Sequence, residues 1–333
     1  MHIYKPLSAF VQSGFLQEQL QNKSIMKQTL LCLVTISLIC SLAYAAPEDR
    51  GSYTWSKYTV KIPARDSGSI TALLYIPTAQ KAYPLLAIRH GLSKKKIKYL
   101  SLTKYGEHFA SRGFVVLLPN ARTESFTDFE IEADDINDCM NWAINRSNQL
   151  KNSLSGKIDE NKQAVGGVSG GGLVATIATA KNNTDPNALI KYRALMCFEP
   201  GDINGLGQYY APMISTPTVT IFGENTLCST FNSGAVIFHK VTGPAYGLKV
   251  IGADHCDTTS RYSLGCAIVC MCLGWDEYHN KSYRRYGTAF LEAYLNCDSD
   301  AFPYINGSMA QSDPLVKLYP DNHDLEMPPV GCQ

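Results

Sequence analysis

The chain has 333 residues, of which 45% are hydrophobic and 18% are charged, as is ordinary for a soluble globular protein. Its 30 basic and 29 acidic side chains leave a formal net charge of +1, so no global field favours nucleic acid or an anionic membrane surface as a partner. A local basic run at 93–98 is interpreted as a solvated loop, with an anionic-ligand site as the alternative.

The N-terminal segment has the pattern of an export signal. It starts at Met26 with a lysine, continues through an apolar stretch and ends in the small-x-small pattern of residues 43–45. We therefore expect residues 1–45 to be a leader and signal peptide cleaved after Ala45, with uncleaved anchoring as the alternative. The mature protein is then secreted or periplasmic, without a stable membrane span.

Export favours disulfide bonds among the cysteines. Two of the 11 cysteines lie in the leader, and the odd number that remains leaves at least one thiol free or paired between chains. The alternative is a metal site in the run 266–272 with His255 nearby, but this spacing matches no common zinc pattern, so no metal is expected. The mature cysteines are Cys139, Cys197, Cys228, Cys256, Cys266, Cys270, Cys272, Cys297 and Cys332.

Apolar runs and helical spacings alternate along the rest of the chain. Residues 58–77 predict two strands around a turn at Asp66, Ser67 and Gly68. The alternation that follows predicts an α/β fold, with a central, mostly parallel sheet covered by helices on both faces. We expect one domain over 46–299 and an irregular tail over 300–333. The predicted strands are 83–91, 113–120, 163–169, 192–200, 216–224 and 247–255, and the helices are 99–112, 129–150, 170–180 and 283–296.

Ser169 lies where a predicted strand passes into a predicted helix, within the run Gly167-Val168-Ser169-Gly170-Gly171. This G-x-S-x-G pattern lets the chain bend sharply and present a nucleophilic hydroxyl at the sheet edge. A structural turn or a phosphate cradle is the alternative, although the lysine of a phosphate-binding loop is missing. We expect Ser169 to be a nucleophile, with the free amides of the helix N-terminus favouring an oxyanion.

A serine nucleophile needs a base, and His255 ends a strand late in the chain. His90 ends an early strand and is expected to shape its turn, while the amides of Leu92 and Gly170 bind the oxyanion. The other histidines are poorer candidates by position: His2, His108, His239, His279 and His323.

Five elements in this order resemble the α/β-hydrolase superfamily: "PLLAIRHGL", "ASRGFVVLLPN", "GGVSGGG", "TPTVTIFGE" and "VIGADHCD". The likeness covers about residues 55–296, and the short connections resemble a secreted branch without a large lid domain. That branch includes cutinase-like, chlorophyllase-like and dienelactone-hydrolase-like enzymes. The resemblance implies a serine hydrolase with Ser169 as nucleophile and His255 as base.

The resemblance also implies an aspartate after the strand 216–224, where this sequence has Glu224 and Asn225 instead. A carboxylate orients the imidazole and stabilises the imidazolium, so Glu224 is predicted as the acid. The alternatives are Asn225, Glu199 and Asp202. Cys228 and Cys256 follow the predicted acid and base, so a disulfide between them would brace both loops. Cys266, Cys270 and Cys272 remain competing partners.

The predicted reaction is hydrolysis of small-molecule or lipid-like carboxylic esters through an acyl-enzyme, and it needs no cofactor. The alternatives are a peptidase or amidase of the same fold and a weakened hydrolase that only binds. The oligomeric state is left open.

Overall fold

The computed structural model contains one nine-stranded sheet in the residues it describes. These residues are Lys27, 46–91, 99–122, 128–225, 228, 233–272 and 274–319. The predicted signal segment (apart from Lys27), the basic run 93–98 and the end of the predicted tail lie outside these residues. The strands are β1 Trp55–Pro63, β2 Ser69–Pro77, β3 Tyr83–Arg89, β4 Val115–Pro119, β5 Ile158–Val168, β6 Tyr192–Phe198, β7 Thr218–Asn225, β8 Ala245–Asp254 and β9 Val316–Leu318.

Helices connect most of the parallel strands. The α-helices are α1 Thr103–Ser111, α2 Phe129–Ser147, α3 Gly170–Thr184, α4 Leu206–Tyr210, α5 Ser233–Lys240, α6 Leu264–Cys270, α7 Glu277–Asn296 and α8 Ser308–Ser312. Short 3₁₀ helices occupy Tyr99–Leu102, Ile203–Gly205, Ala211–Met213, His255–Thr258 and Ser299–Tyr304. No helix in the described residues is both long and apolar enough to cross a membrane.

The strand order is β1-β2-β4-β3-β5-β6-β7-β8-β9. The six strands from β4 to β8 in this order run parallel, while β1, β2 and β9 are antiparallel to their neighbours. Alternate residues of β3 enter different cores: Leu85 and Ala87 pack with α2 and α3, whereas Leu86 and Ile88 pack with α1 and α7. The prediction of a mostly parallel sheet with helices on both faces is confirmed, and no large lid domain is present in the described residues.

The predicted hairpin turn forms between β1 and β2. The Ala64 amide donates to the Gly68 carbonyl at 3.0 Å, and the Asp66 carboxylate accepts from the Gly68 amide at 3.2 Å. Ser67 has a φ of 66°, in the left-handed region that such turns require.

Residues 299–319 are more regular than the predicted tail. The 3₁₀ helix at 299–304 and α8 lead into β9, which pairs with Leu248–Val250 of β8. The Pro, Gly and Asp content of this segment indicates an irregular chain. Phe302 and Ile305 are nevertheless buried, and their burial stabilises the ordered segment. The expectation of an irregular segment is wrong for these residues.

Candidate active site

Ser169 occupies a strained turn between β5 and α3. Its φ of 56° and ψ of −125° lie in a region that non-glycine residues rarely adopt. The Ser169 amide donates to the Phe198 carbonyl at 2.9 Å, and its carbonyl accepts from the Gly172 amide at 2.9 Å. These bonds hold a turn with the geometry of a nucleophile elbow.

The glycines around Ser169 are sterically required. A Cβ on Gly167 would lie 2.1 Å from the Gly171 carbonyl oxygen, and one on Gly171 would lie 2.2 Å from the Arg89 carbonyl oxygen. The end of β3 therefore packs directly against the turn. Gly170, the predicted oxyanion donor, is the buried first residue of α3. Leu92, the other predicted donor, lies outside the described residues.

His90 holds the neighbouring strand end. Its Nε2 accepts from the Ala121 amide at 3.2 Å, so the proton lies on Nδ1, which donates to the Gly91 carbonyl at 2.7 Å. A Cβ on Gly91 would lie 3.0 Å from Ser169 Cβ, so this turn contacts the serine directly. The contacts fit the turn-shaping role predicted for His90.

His255 begins the 3₁₀ helix that follows β8. The Asp254 carboxylate accepts from the Cys256 amide, and the Asp257 carboxylate accepts from the Asp254 amide, forming a capping box around this turn. His255 is 7% exposed, and its Nδ1 is buried without a hydrogen-bond partner among the described residues. The turn thus fixes the backbone of His255 and leaves Nδ1 facing a buried carboxylate.

That carboxylate belongs to Glu199, whose Oε2 lies 3.8 Å from His255 Nδ1. Glu199 follows β6, has a φ of 47° and is 1% exposed. Its Oε1 accepts from the Gly223 amide and from the Tyr283 hydroxyl, the latter at 3.4 Å. A Cβ on Gly223 would lie 2.9 Å from that oxygen, so β7 needs glycine where it passes the carboxylate.

Backbone contacts connect this carboxylate to the serine. The Ser169 amide donates to the Phe198 carbonyl, and the Ser169 carbonyl accepts from the Gly201 amide at 3.3 Å. Phe198 precedes Glu199 in the sequence and Gly201 follows it. No hydrogen bond joins Ser169 Oγ to the imidazole in the described part of the chain. Such contacts are often long in free enzymes and tighten in the substrate complex.

The other acid candidates form hydrogen bonds to backbone groups of neighbouring loops. Glu224 is exposed, and its carboxylate accepts from the Gly252 amide at 2.9 Å, while Asn225 donates to the Gly252 carbonyl at 3.1 Å. Asp202 accepts from the amide of Gly207 at 2.7 Å at the start of α4. These side chains stabilise loops, so the geometry favours Glu199 over the predicted Glu224.

A second histidine–carboxylate pair lies nearby. His279, a poorer candidate by its position in the sequence, lies in the first turn of α7, and its Nδ1 lies 2.9 Å from Asp257 Oδ2. Asp257 also accepts from the Asp276 amide at 2.6 Å, and burial raises the pKa of its carboxyl. This pair ties the turn that carries His255 to α7.

Two disulfides tie α6 and the residues that follow it to the loops of the site. Cys228 bonds to Cys270, and Cys256 bonds to Cys272, so the Cys228–Cys256 pairing considered above is wrong. A ring nitrogen of His255 and the two sulfur atoms of Cys228–Cys270 all lie within 4.8 Å of one another. Because these cysteines are oxidised, they present no thiolate ligands to a metal. Cys297 is also disulfide-bonded.

A mostly parallel sheet with a serine in a strained strand-to-helix turn defines an α/β-hydrolase. The sequence model of the chlorophyllase family matches residues 46–230, more than half of the chain. The protein therefore belongs to the chlorophyllase family, which confirms the resemblance to chlorophyllase-like hydrolases. Ser169 and Glu199 lie inside the matched range, and His255 lies beyond it. No curated protein matches the chain significantly.

Proposed function

We propose that the protein is an exported serine hydrolase of apolar carboxylic esters, in which Ser169 is the nucleophile, His255 the base and Glu199 the acid. The observation that carries this proposal is the buried Glu199 carboxylate, 3.8 Å from His255 Nδ1 and bonded through its neighbours to the backbone of Ser169. The arrangement has the three roles that a serine hydrolase needs, at the carboxyl ends of β5, β6 and β8.

In this mechanism His255 takes the proton of Ser169 as the hydroxyl attacks the ester carbonyl. The Gly170 amide, at the positive end of α3, stabilises the oxyanion, and the alcohol leaves with the proton from the imidazole. Water activated by the same imidazole then attacks the acyl-enzyme and releases the acid. Glu199 stabilises the imidazolium in both steps because a buried carboxylate is poorly screened by solvent.

Export is supported by the oxidised cysteines, since disulfides persist in oxidising compartments. The apolar segment ending in Ala43-Tyr44-Ala45 gives a route to such a compartment. We infer cleavage after Ala45 and a secreted or periplasmic mature enzyme.

The preference for apolar esters is inferred from α6 and the residue that follows it. Cys266 and Cys270, four residues apart, bond or pack inward against the catalytic loops, which leaves the opposite face outward. That face exposes Leu264, Ile268 and Met271 by 63%, 69% and 70%. Residues 262–275 contain no charged side chain, so an aliphatic chain can lie here without desolvating a charge.

Ile268→Asp is expected to lower kcat/KM for long-chain nitrophenyl esters by about tenfold or more, because burying one such side chain contributes about 1.5–3 kcal/mol. The acetate ester has no aliphatic chain to bury on this face, so its hydrolysis should stay within about twofold. Leu189→Asp is the matched control: Leu189 is 76% exposed but precedes the amino end of β6, whereas the site lies at the carboxyl ends of the strands. An unchanged chain-length profile in Ile268→Asp would remove α6 from substrate binding.

A fluorophosphonate probe tests the proposed activity directly, since it forms a covalent bond only with an activated serine. We expect stoichiometric labelling that peptide mass spectrometry locates on Ser169. His255→Ala should lose this labelling while its circular dichroism spectrum stays unchanged. Absence of label in the wild-type protein would instead favour a hydrolase fold that only binds. Chlorophyll belongs in the ester panel because the matched family bears its name.

A further inference from the structure

Three sulfur atoms meet beside the turn that carries His255. Cys256 is fully buried and bonded to Cys272, and the free thiol of Cys266 lies with its Sγ 2.7 Å from Cys256 Sγ. The three sulfur atoms all lie within 4.8 Å of one another. A free thiol in contact with a disulfide is the arrangement from which thiol–disulfide exchange begins.

We propose that Cys256 has two alternative disulfide partners, Cys272 and Cys266, and that the protein interconverts between them. The proposed hydrolase activity is not needed for this inference, because it rests on the sulfur geometry alone. It adds an internal exchange site to the loop that carries His255.

The exchange balances without an oxidant or a reductant. The Cys266 thiol loses its proton to solvent, and the thiolate attacks Cys256 Sγ. A Cys266–Cys256 bond forms as the Cys256–Cys272 bond breaks, and Cys272 leaves as a thiolate that takes up a proton. The number of disulfides and free thiols is the same before and after.

The backbone around α6 gives the two forms different tethers. Met271 ends the helix with a φ of 52°, and the Cys272 amide donates to the Ala267 carbonyl at 3.1 Å. In the first form Cys256 is attached to the residue beyond this turn, and in the second to the first turn of α6. The exchange therefore moves the attachment point by six residues, while Cys228–Cys270 continues to hold the end of α6.

The pKa of Cys266 sets the speed of the exchange. Burial raises the pKa of its thiol to about 11, and the carboxylates of Asp254 and Asp257 act in the same direction. The attacking species is the thiolate. While the pH is below that pKa, the exchange rate should therefore rise about tenfold for each unit by which the pH increases. The exchange is therefore slow near neutral pH and faster in mild base.

Differential alkylation of the full-length oxidised protein tests the inference. The protein is incubated at pH 5, 7 and 9, quenched in acid denaturant and alkylated with N-ethylmaleimide, and fragmentation of the unreduced peptide 262–281 locates the label. We expect label on Cys272 as well as on Cys266. The ratio of the two labels should reach the same final value at each pH, about tenfold faster for each unit by which the pH increases. Cys139 and Cys197 are buried free thiols and serve as internal standards for complete alkylation.

Two variants fix the alternatives. Cys266→Ser should hold Cys256 on Cys272. Cys272→Ser, folded in a buffer with oxidised glutathione as the oxidant, should form the Cys256–Cys266 bond and leave neither sulfur available to the reagent. Label confined to Cys266 in the wild-type protein at every pH would overturn the proposal. The wild-type time course decides the question even where Cys272→Ser does not fold.

Discussion

Replacing Ser169 by alanine is expected to lower kcat for nitrophenyl butyrate by about 10⁴- to 10⁶-fold. Alanine removes the attacking oxygen but leaves the oxyanion amides and the substrate-binding surface in place. A residual rate above that of water is therefore expected, with little change in KM. Initial-rate kinetics with a burst titration of active sites measures the loss and detects contaminating esterases.

Ser67→Ala is the matched control for this substitution. Ser67 has a φ of 66° in the turn between β1 and β2, so it shares the positive φ of Ser169 without its surroundings. A loss of activity in both variants would indicate a general effect on folding. Unchanged activity in Ser169→Ala would contradict the proposed mechanism.

The positions of the central strands along the chain could be predicted because the sheet core consists of continuous apolar runs. Strands buried on both faces, such as β3 and β4, read as unbroken hydrophobic segments that end in glycine or proline. The turn at Ser169 could also be predicted, since the sequence shows the glycines on both sides of it. What they contact, such as the carbonyl of Arg89 against Gly171, depends on strands distant in sequence.

The proposed acid, Glu199, could not be selected from the sequence. Glu224 occupies the expected position after a strand, but the register between β7 and β8 shifts between Gly223 and Asn225. This irregularity brings the Glu224 carboxylate to the Gly252 amide. Glu199 is turned inward by its positive φ, a backbone conformation that no local pattern around it indicates.

The disulfide pairing could not be predicted from the sequence either. Cys266, Cys270 and Cys272 are so close along the chain that each could pair with the same distant cysteine. Only the folding of α6 determines which sulfur atom faces which loop. The short C-terminal elements escaped prediction for a related reason. Their few apolar residues gain burial only from the sheet edge that β9 completes.

Glu199→Gln is expected to lower kcat by about 10³- to 10⁴-fold, whereas Glu224→Gln should leave it within about twofold. The two substitutions are chemically identical and remove one negative charge each. The amide oxygen introduced by Glu199→Gln can still accept from the Gly223 amide and the Tyr283 hydroxyl, so the fold should persist. The lost charge no longer stabilises the imidazolium that forms as Ser169 attacks.

The split between kcat and KM separates this role from a structural one. The lost charge acts on the transition state more than on substrate binding, so kcat should fall in Glu199→Gln while KM stays within about twofold. Thermal unfolding of both variants measures any shared loss of stability. A large loss of kcat in Glu224→Gln with none in Glu199→Gln would contradict the proposal and identify Glu224 as the acid. The Glu224 carboxylate would then have to leave the Gly252 amide during turnover.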